Sequence, residues 1–177
     1  MKEEFFSDYF KFVHNSIESV SHDELISAAE IIKEISKAGN KLIIAGNGGS
    51  AAMASHVSVD FTKAAGIRAI NFNEADLLTC FSNDYGYEKV FEKAVEFYGD
   101  AGDLLILISS SGNSKNVVKA AEIAKKLNIG IITYSGFDSD NPLRKLGDIN
   151  FWVDSKAYNI VEMTHHIWLL AIVDYII

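Results

Sequence analysis

The sequence predicts an α/β protein, a three-layer α/β/α sandwich around a doubly wound parallel sheet. Three observations carry this. Short runs of unbroken apolar residues recur, as in Leu42-Ile43-Ile44-Ala45 and Leu104-Leu105-Ile106-Leu107-Ile108. They alternate with segments of helical spacing. Small polar loops bearing glycine follow the apolar runs. A strand that is apolar throughout is covered on both faces, which is the state of parallel strands with helical crossovers. Right-handed crossovers then restrict the topology to a doubly wound sheet.

The elements follow in order. Residues 2–19 carry Phe5, Phe6, Tyr9, Phe10, Phe12, Val13 and Ile17 at helical spacing. Residues 22–38 do the same with Leu25, Ile26, Ala29, Ile32 and Ile35. Ser21 or His22, ahead of Asp23 and Glu24, starts this second helix, and Gly39 stops it. Residues 41–45, 103–108, 129–133 and 149–153 read as buried strands, and Arg68–Phe72 is a further candidate. Helices fill 50–64, 87–98, 114–127 and 158–176. There is one proline, Pro142, and no Gly/Ser-rich linker, so residues 1–177 are expected to form one domain. The first helices, about 2–38, have more apolar face than one sheet needs. They and the apolar end at Ile176-Ile177 are expected to pack between subunits.

Composition removes several function classes. With 24 acidic and 16 basic residues the net charge is −8, which argues against direct nucleic-acid binding, since that needs a Lys/Arg surface. A single cysteine, Cys80, allows neither an internal disulfide nor a cysteine zinc cluster, and a reducing cytoplasm fits best. Cys80 lies in the apolar run Leu77-Leu78-Thr79-Cys80-Phe81 and is expected to be a buried small hydrophobe. Acids stand near the N-terminus where a signal peptide carries bases, and no run reaches the ~18 apolar residues of a membrane span.

In a doubly wound sheet, ligands sit beyond the carboxyl ends of the strands at the switch point. The first strand is followed by Gly46-Asn47-Gly48-Gly49-Ser50-Ala51-Ala52, and the strand at 103–108 by Ser109-Ser110-Ser111-Gly112-Asn113-Ser114. Each loop leads into a helix. Helix N-termini present free N–H groups to an anion, and serine hydroxyls add donors without bulk. Two such loops make a phosphate cradle that needs no lysine. A dinucleotide fingerprint would demand an acid at the end of the second strand, where Asn71 and Asn73 stand with Glu74 next. No nucleotide cofactor is expected.

The segments GNGGSAAMASH (46–56), SNDYGYEKVF (82–91), GDLLILISSSGNSKNVVKA (102–120) and IVEMTHH (160–166) resemble the sugar isomerase (SIS) domain family, and within it the phosphoheptose isomerases. The resemblance covers essentially the whole chain. It implies a flavodoxin-like five-stranded parallel sheet, usually in a homotetramer, and isomerisation of sedoheptulose 7-phosphate to a heptose 7-phosphate for surface polysaccharide. By the same resemblance Ser50, Ser109, Ser110, Ser111 and Ser114 hold the sugar phosphate, with Gly48 and Gly49 in the first loop, and Asn47 and Asp84 contact the sugar.

Aldose–ketose isomerisation through an enediol needs a base, an acid and polarisation of the carbonyl. The family places a His and a Glu on the helix after the first loop, here His56 and Asp60. It places a Gln and a His on the last helix, where Val161 and Leu169 stand, and those four side chains can bind zinc. Neither Val161 nor Leu169 can ligate a metal or transfer a proton. His165 lies midway between them, offset by only ~40° from each on a helical wheel. His56, Asp60 and His165 would then form a 2-His-1-carboxylate set able to take Zn2+ or another divalent ion. The other arrangement has Asp60 and His165 as base and acid without metal. Glu162 and His166, also four apart, read as a polar pair on the outer face. The family's nearby arginine is replaced by Ala64, with Lys63 and Arg68 as stand-ins. Two further functions remain on the same scaffold: a non-catalytic sugar-phosphate-binding or replication-initiator-associating regulator, and an isomerase of another ketose phosphate.

Overall fold

The computed structural model describes residues 2–177, with side chains from residue 4 onward. Helices α1 (Lys2–Ile17) and α2 (His22–Lys37) precede β1 (Leu42–Gly46) and α3 (Gly49–Lys63). Then come β2 (Ala69–Asn71), α4 (Ala75–Tyr85), a short 3-10 turn (Tyr87–Lys89) and α5 (Val90–Tyr98). The chain closes with β3 (Leu104–Ser109), α6 (Lys115–Lys126), β4 (Gly130–Gly136), β5 (Ile149–Val153) and α7 (Tyr158–Ile176). The five strands run parallel in the order β2-β1-β3-β4-β5, so the strand order reverses between β1 and β3.

Alternate residues of the central strands feed two cores. Leu42, Ile44, Leu104, Ile106, Ile108, Ile132 and Tyr134 face α2, α3 and α7. Ile43, Ala45, Leu105, Leu107 and Ile131 face α5 and α6. This is the period-two projection of a strand covered on both sides. Ser21 caps α2, its hydroxyl accepting from the Glu24 N–H. At the amino end of the sheet, Asp103 accepts from the Lys41 Nζ at 2.6 Å and from the N–H groups of Lys41 and Asp100. Burial works to raise its pKa, but the hydrogen bond from Lys41 and those backbone donors outweigh it and hold the carboxyl below its ordinary value.

Two features depart from the sequence reading. Helix α4 occupies a stretch in which no helix was expected. It buries none of its residues fully, so its apolar spacing is incomplete. Cys80 rides on its outer face and is exposed, not buried, with Sγ 3.7 Å from the Asp84 carboxylate one turn on.

α7 shows why its pattern is hard to read. It buries Ile160, Val161, Thr164, His165, Trp168, Leu169, Ile172 and Val173 along one broad stripe. Trp168 reaches across to donate to the Ile17 carbonyl at 2.8 Å, tying α7 to the end of α1.

Candidate active site

The loops after β1 and β3 meet at the switch point, where the strand order reverses. They enclose a cavity of about 110 Å³ lined by Asn47, Ser50, Ser109, Ser110, Ser111, Ser114, Ile108, Tyr158 and Glu162. The serine set expected from sequence is thus assembled around one space. Ser114 is the N-cap of α6 but makes no side-chain capping bond; its hydroxyl accepts from Ser109 Oγ at 3.3 Å. The Ser110 hydroxyl is buried and has no partner. A buried unpaired hydroxyl costs free energy, and an anion in this cavity would relieve it.

The cradle is held from below. Gly112 sits at φ +63°, and a Cβ there would lie 2.0 Å from Asn141 Oδ1. That position therefore demands glycine twice over, for backbone and for space. Asn141 in turn donates to Ser135 Oγ and to the carbonyls of Gly136 and Asp138. Gly136 N–H donates to the Ser110 carbonyl at 2.9 Å. The first loop is pinned sideways. Asn47 and Asn116 exchange side-chain amide hydrogen bonds at 2.9 and 3.0 Å, and Tyr87 donates to Asn47 Oδ1 at 2.7 Å. Asn116 and Tyr87 were not singled out from sequence, since nothing local marks an asparagine inside a helix as a partner for a distant loop. Asn71 and Asn73, at the place a dinucleotide fold would keep an acid, pin α3 instead through Ser58, Ser55 and the Ala51 carbonyl.

Two turns further along α3, His56 Nε2 lies 3.3 Å from Asp60 Oδ2. Its other ring nitrogen, Nδ1, lies 2.9 Å from His166 Nε2 on α7. The rings meet edge to face at 4.9 Å between centroids. A carboxylate against Nε2 favours the tautomer protonated there, which leaves Nδ1 to accept from His166. Burial and the neighbouring His56 push His166 below its ordinary pKa, with Asp60 opposing.

His165 is elsewhere, a correction to the expectation that it joins His56 and Asp60. Its ring is fully buried against Tyr134 and Trp168, and Nε2 lies 2.9 Å from the Ser135 carbonyl. Burial drives its pKa down to about 4, the bond to Ser135 opposing, so it is neutral at physiological pH. It does face the way Val161 and Leu169 face, but all three are 0–1% exposed, and that direction is the core. Glu162 and His166, one residue further round the helix, are the polar side chains α7 turns toward the cavity and toward His56. Both were expected on an outer face.

The zinc set that the family resemblance implies therefore does not fit this chain. Two of its four positions hold buried aliphatic side chains, and His165 is closed into the core. Among the described residues no group of three His, Cys, Asp or Glu side chains is placed to hold a metal. Asp84 is exposed on the last turn of α4, beside Asn83, and does not line the cavity. Arg68 is turned away, donating to the Gly39 carbonyl.

Comparison with known proteins agrees with this architecture. The SIS domain family model matches residues 6–136. The phosphoheptose isomerase of Thermodesulfovibrio yellowstonii is 38% identical over 143 residues, 77% of this chain and 71% of that protein. That of Fusobacterium nucleatum is 35% identical over 162 residues, 89% of this chain and 83% of its own. The structure of phosphoheptose isomerase GmhA from Neisseria gonorrhoeae superposes with a TM-score of 0.90 at 29% identity, covering 99% of this chain and 97% of that one. A serine cradle at the switch point, with a histidine and an acid four apart on the helix behind it, sits on the fold that these proteins share, and the chain belongs to the SIS-domain family, in its phosphoheptose isomerase branch.

Proposed function

We propose that the protein is a phosphoheptose isomerase. It interconverts sedoheptulose 7-phosphate and D-glycero-manno-heptose 7-phosphate through an enediol and supplies heptose for surface polysaccharide. The observation that carries this is the serine cavity with its unpartnered Ser110 hydroxyl. Backbone N–H groups at the starts of α3 and α6 and the hydroxyls of Ser50, Ser109, Ser110, Ser111 and Ser114 would hold the phosphate. Asn47, locked by Asn116 and Tyr87, keeps the first loop at a set distance from that anchor. In an extended ketose phosphate the carbonyl carbons lie roughly two helical turns from the phosphorus. His56, held by Asp60 and His166, stands about that far along α3 from Ser50, six residues at ~1.5 Å each. We assign Asp60 the task of fixing the His56 tautomer.

No helix among the described residues is long and apolar enough to cross a membrane, and the reading places the enzyme in the cytoplasm. Phe5, Phe6, Phe10 and Phe12 on α1 are 47–64% exposed, and Tyr158, Met163, Ile167 and Tyr175 on α7 are 40–59% exposed. Such apolar surface supports a homo-oligomer, with a tetramer as in the family. A stable monomer at micromolar concentration by light scattering rejects this.

The functional test is incubation with sedoheptulose 7-phosphate, with and without a chelator, following the aldose. Turnover unaffected by the chelator is expected. The buried Val161 and Leu169 favour one other reading, a sugar-phosphate-binding regulator. Thermal stabilisation by sugar phosphates without turnover would establish it.

A further inference from the structure

We infer that Glu162 sets which anions the serine cavity accepts: it admits phosphate with a proton held between the two, and rejects sulfate, which brings none. The assignment rests on the phosphate cradle read above. Among the described residues Glu162 is the only carboxylate lining the cavity, and no Lys, Arg or His lines it. Lys115, at the start of α6, is turned outward toward Glu88, and Lys156, just ahead of α7, pairs with Asp138 at 2.9 Å. The Glu162 carboxylate lies over Gly49, the first residue of α3: a Cβ on Gly49 would stand 2.8 Å from its Cδ. Gly49 is not at positive φ, so its backbone does not demand glycine; the close approach of Glu162 does. Helix α3 starts without a side-chain cap, and no hydrogen bond or ion pair joins Glu162 to any described residue.

A phosphate in this cavity meets that carboxylate. A space of about 110 Å³ is small enough that an anion held by the serines also touches the Glu162 wall. The buried, unpartnered Ser110 hydroxyl marks a place for the anion's oxygens. With no cation beside them, two like charges at one site do not both stay ionised; they share a proton. A hydrogen bond from the phosphate O–H to the Glu162 carboxylate then replaces the repulsion, and such charge-assisted bonds are strong. No covalent bond to phosphorus changes. Hydrogen phosphate carries the proton in, and a sugar phosphate dianion takes it from solvent. Sulfate has the same shape as hydrogen phosphate and, at about pH 8, the same charge, but no proton. It is left facing a bare carboxylate.

Other titratable groups stand on the same two helices: Tyr158 and His166 on α7, and His56 and Asp60 on α3. The proton therefore has to be assigned by substitution. Calorimetry follows inorganic phosphate, sulfate and sedoheptulose 7-phosphate binding to the whole protein at about pH 8, in two buffers of different ionisation enthalpy. Wild type is expected to bind phosphate about a hundredfold or more tighter than sulfate, since a site that accepts a hydrogen bond rejects an analogue lacking the donor. It should take up about one proton per sugar phosphate bound. Glu162→Gln keeps the shape and loses the charge; it should hold phosphate and sulfate within about threefold of each other and lose the proton uptake. A carboxylate that only complements the α3 N-terminus would shift all three anions alike and move neither the ratio nor the proton count. A wild-type ratio within about threefold, or a ratio unchanged in Glu162→Gln, overturns the assignment while leaving the cradle intact. Proton uptake that survives in the variant does the same and belongs to His56 or His166. Where the inorganic anions bind too weakly to compare, proton uptake with the sugar phosphate decides alone. Wild type that binds neither inorganic phosphate nor sedoheptulose 7-phosphate overturns the cradle reading, and this assignment with it.

Discussion

The cradle loops and helix α7 both border the same cavity, but they are specified in opposite ways. In the loops, chemistry and position are one signal: glycine and serine directly after a buried strand can only lie at the carboxyl end of the sheet. In α7, the polar residues that matter are separated from buried ones by a single position. Val161 and His165 point into the core, whereas Glu162 lines the cavity and His166 meets His56. One residue is 100° of rotation. A loop motif survives an error of one residue in its reading, and a helix face does not.

Substitutions can break this comparison or sharpen it. The largest effect should come from Ser110→Ala combined with Ser111→Ala. Two hydrogen bonds to a charged phosphate, at about 1.5–3 kcal/mol each, predict a loss of at least a hundredfold in sugar-phosphate affinity by calorimetry. Stability should change by no more than about 1 kcal/mol, because the buried Ser110 hydroxyl has no partner to lose and the Ser111 hydroxyl loses one exposed bond, from the Asn113 N–H.

Next is His165→Ala, which empties a fully buried site and leaves the Ser135 carbonyl without its donor. A cost of about 3 kcal/mol is expected by urea denaturation. If stability held and kcat collapsed, His165 would belong to the chemistry after all.

The same residue predicts a pH dependence. The pKa of His165 is depressed from 6.5 to about 4 in the folded protein. Between those values the unfolded chain binds a proton that the folded chain refuses. This stability is present above pH 6.5 and lost as pH falls toward 4, by up to about 1.4 kcal/mol per pH unit. Denaturation midpoints across that window should be flatter in His165→Leu than in the wild type.

The smallest effect on stability should come from Asp60→Asn. The His56–Asp60 pair is partly exposed, at 51% and 34%, so solvent screening limits it to under about 1 kcal/mol. A clear fall in kcat with Tm held would place the pair in catalysis, as the tautomer argument requires.

The strands at the centre of the sheet were legible because each is a short apolar run between turn signals, and no other element buries such a run on both sides. Helix α4 was not legible, because a surface helix with no fully buried residue carries a diluted pattern. Its misreading also put Cys80 in a core that does not exist there. The serine loops were legible in type and place. The Asn47–Asn116–Tyr87 lock was not, since it joins residues 40 and 69 positions apart.

By itself, the sequence determined the layer architecture, the switch point and the anion cradle, because those follow from local pattern plus the handedness of crossovers. The tertiary structure decided which side of α7 is interior. A helix that is apolar over most of its circumference has no unique buried face until its neighbours are in place. Packing against β4, β5, α1 and α3 set that rotation. It closed His165 into the core, carried Glu162 to the cavity and brought His166 to His56.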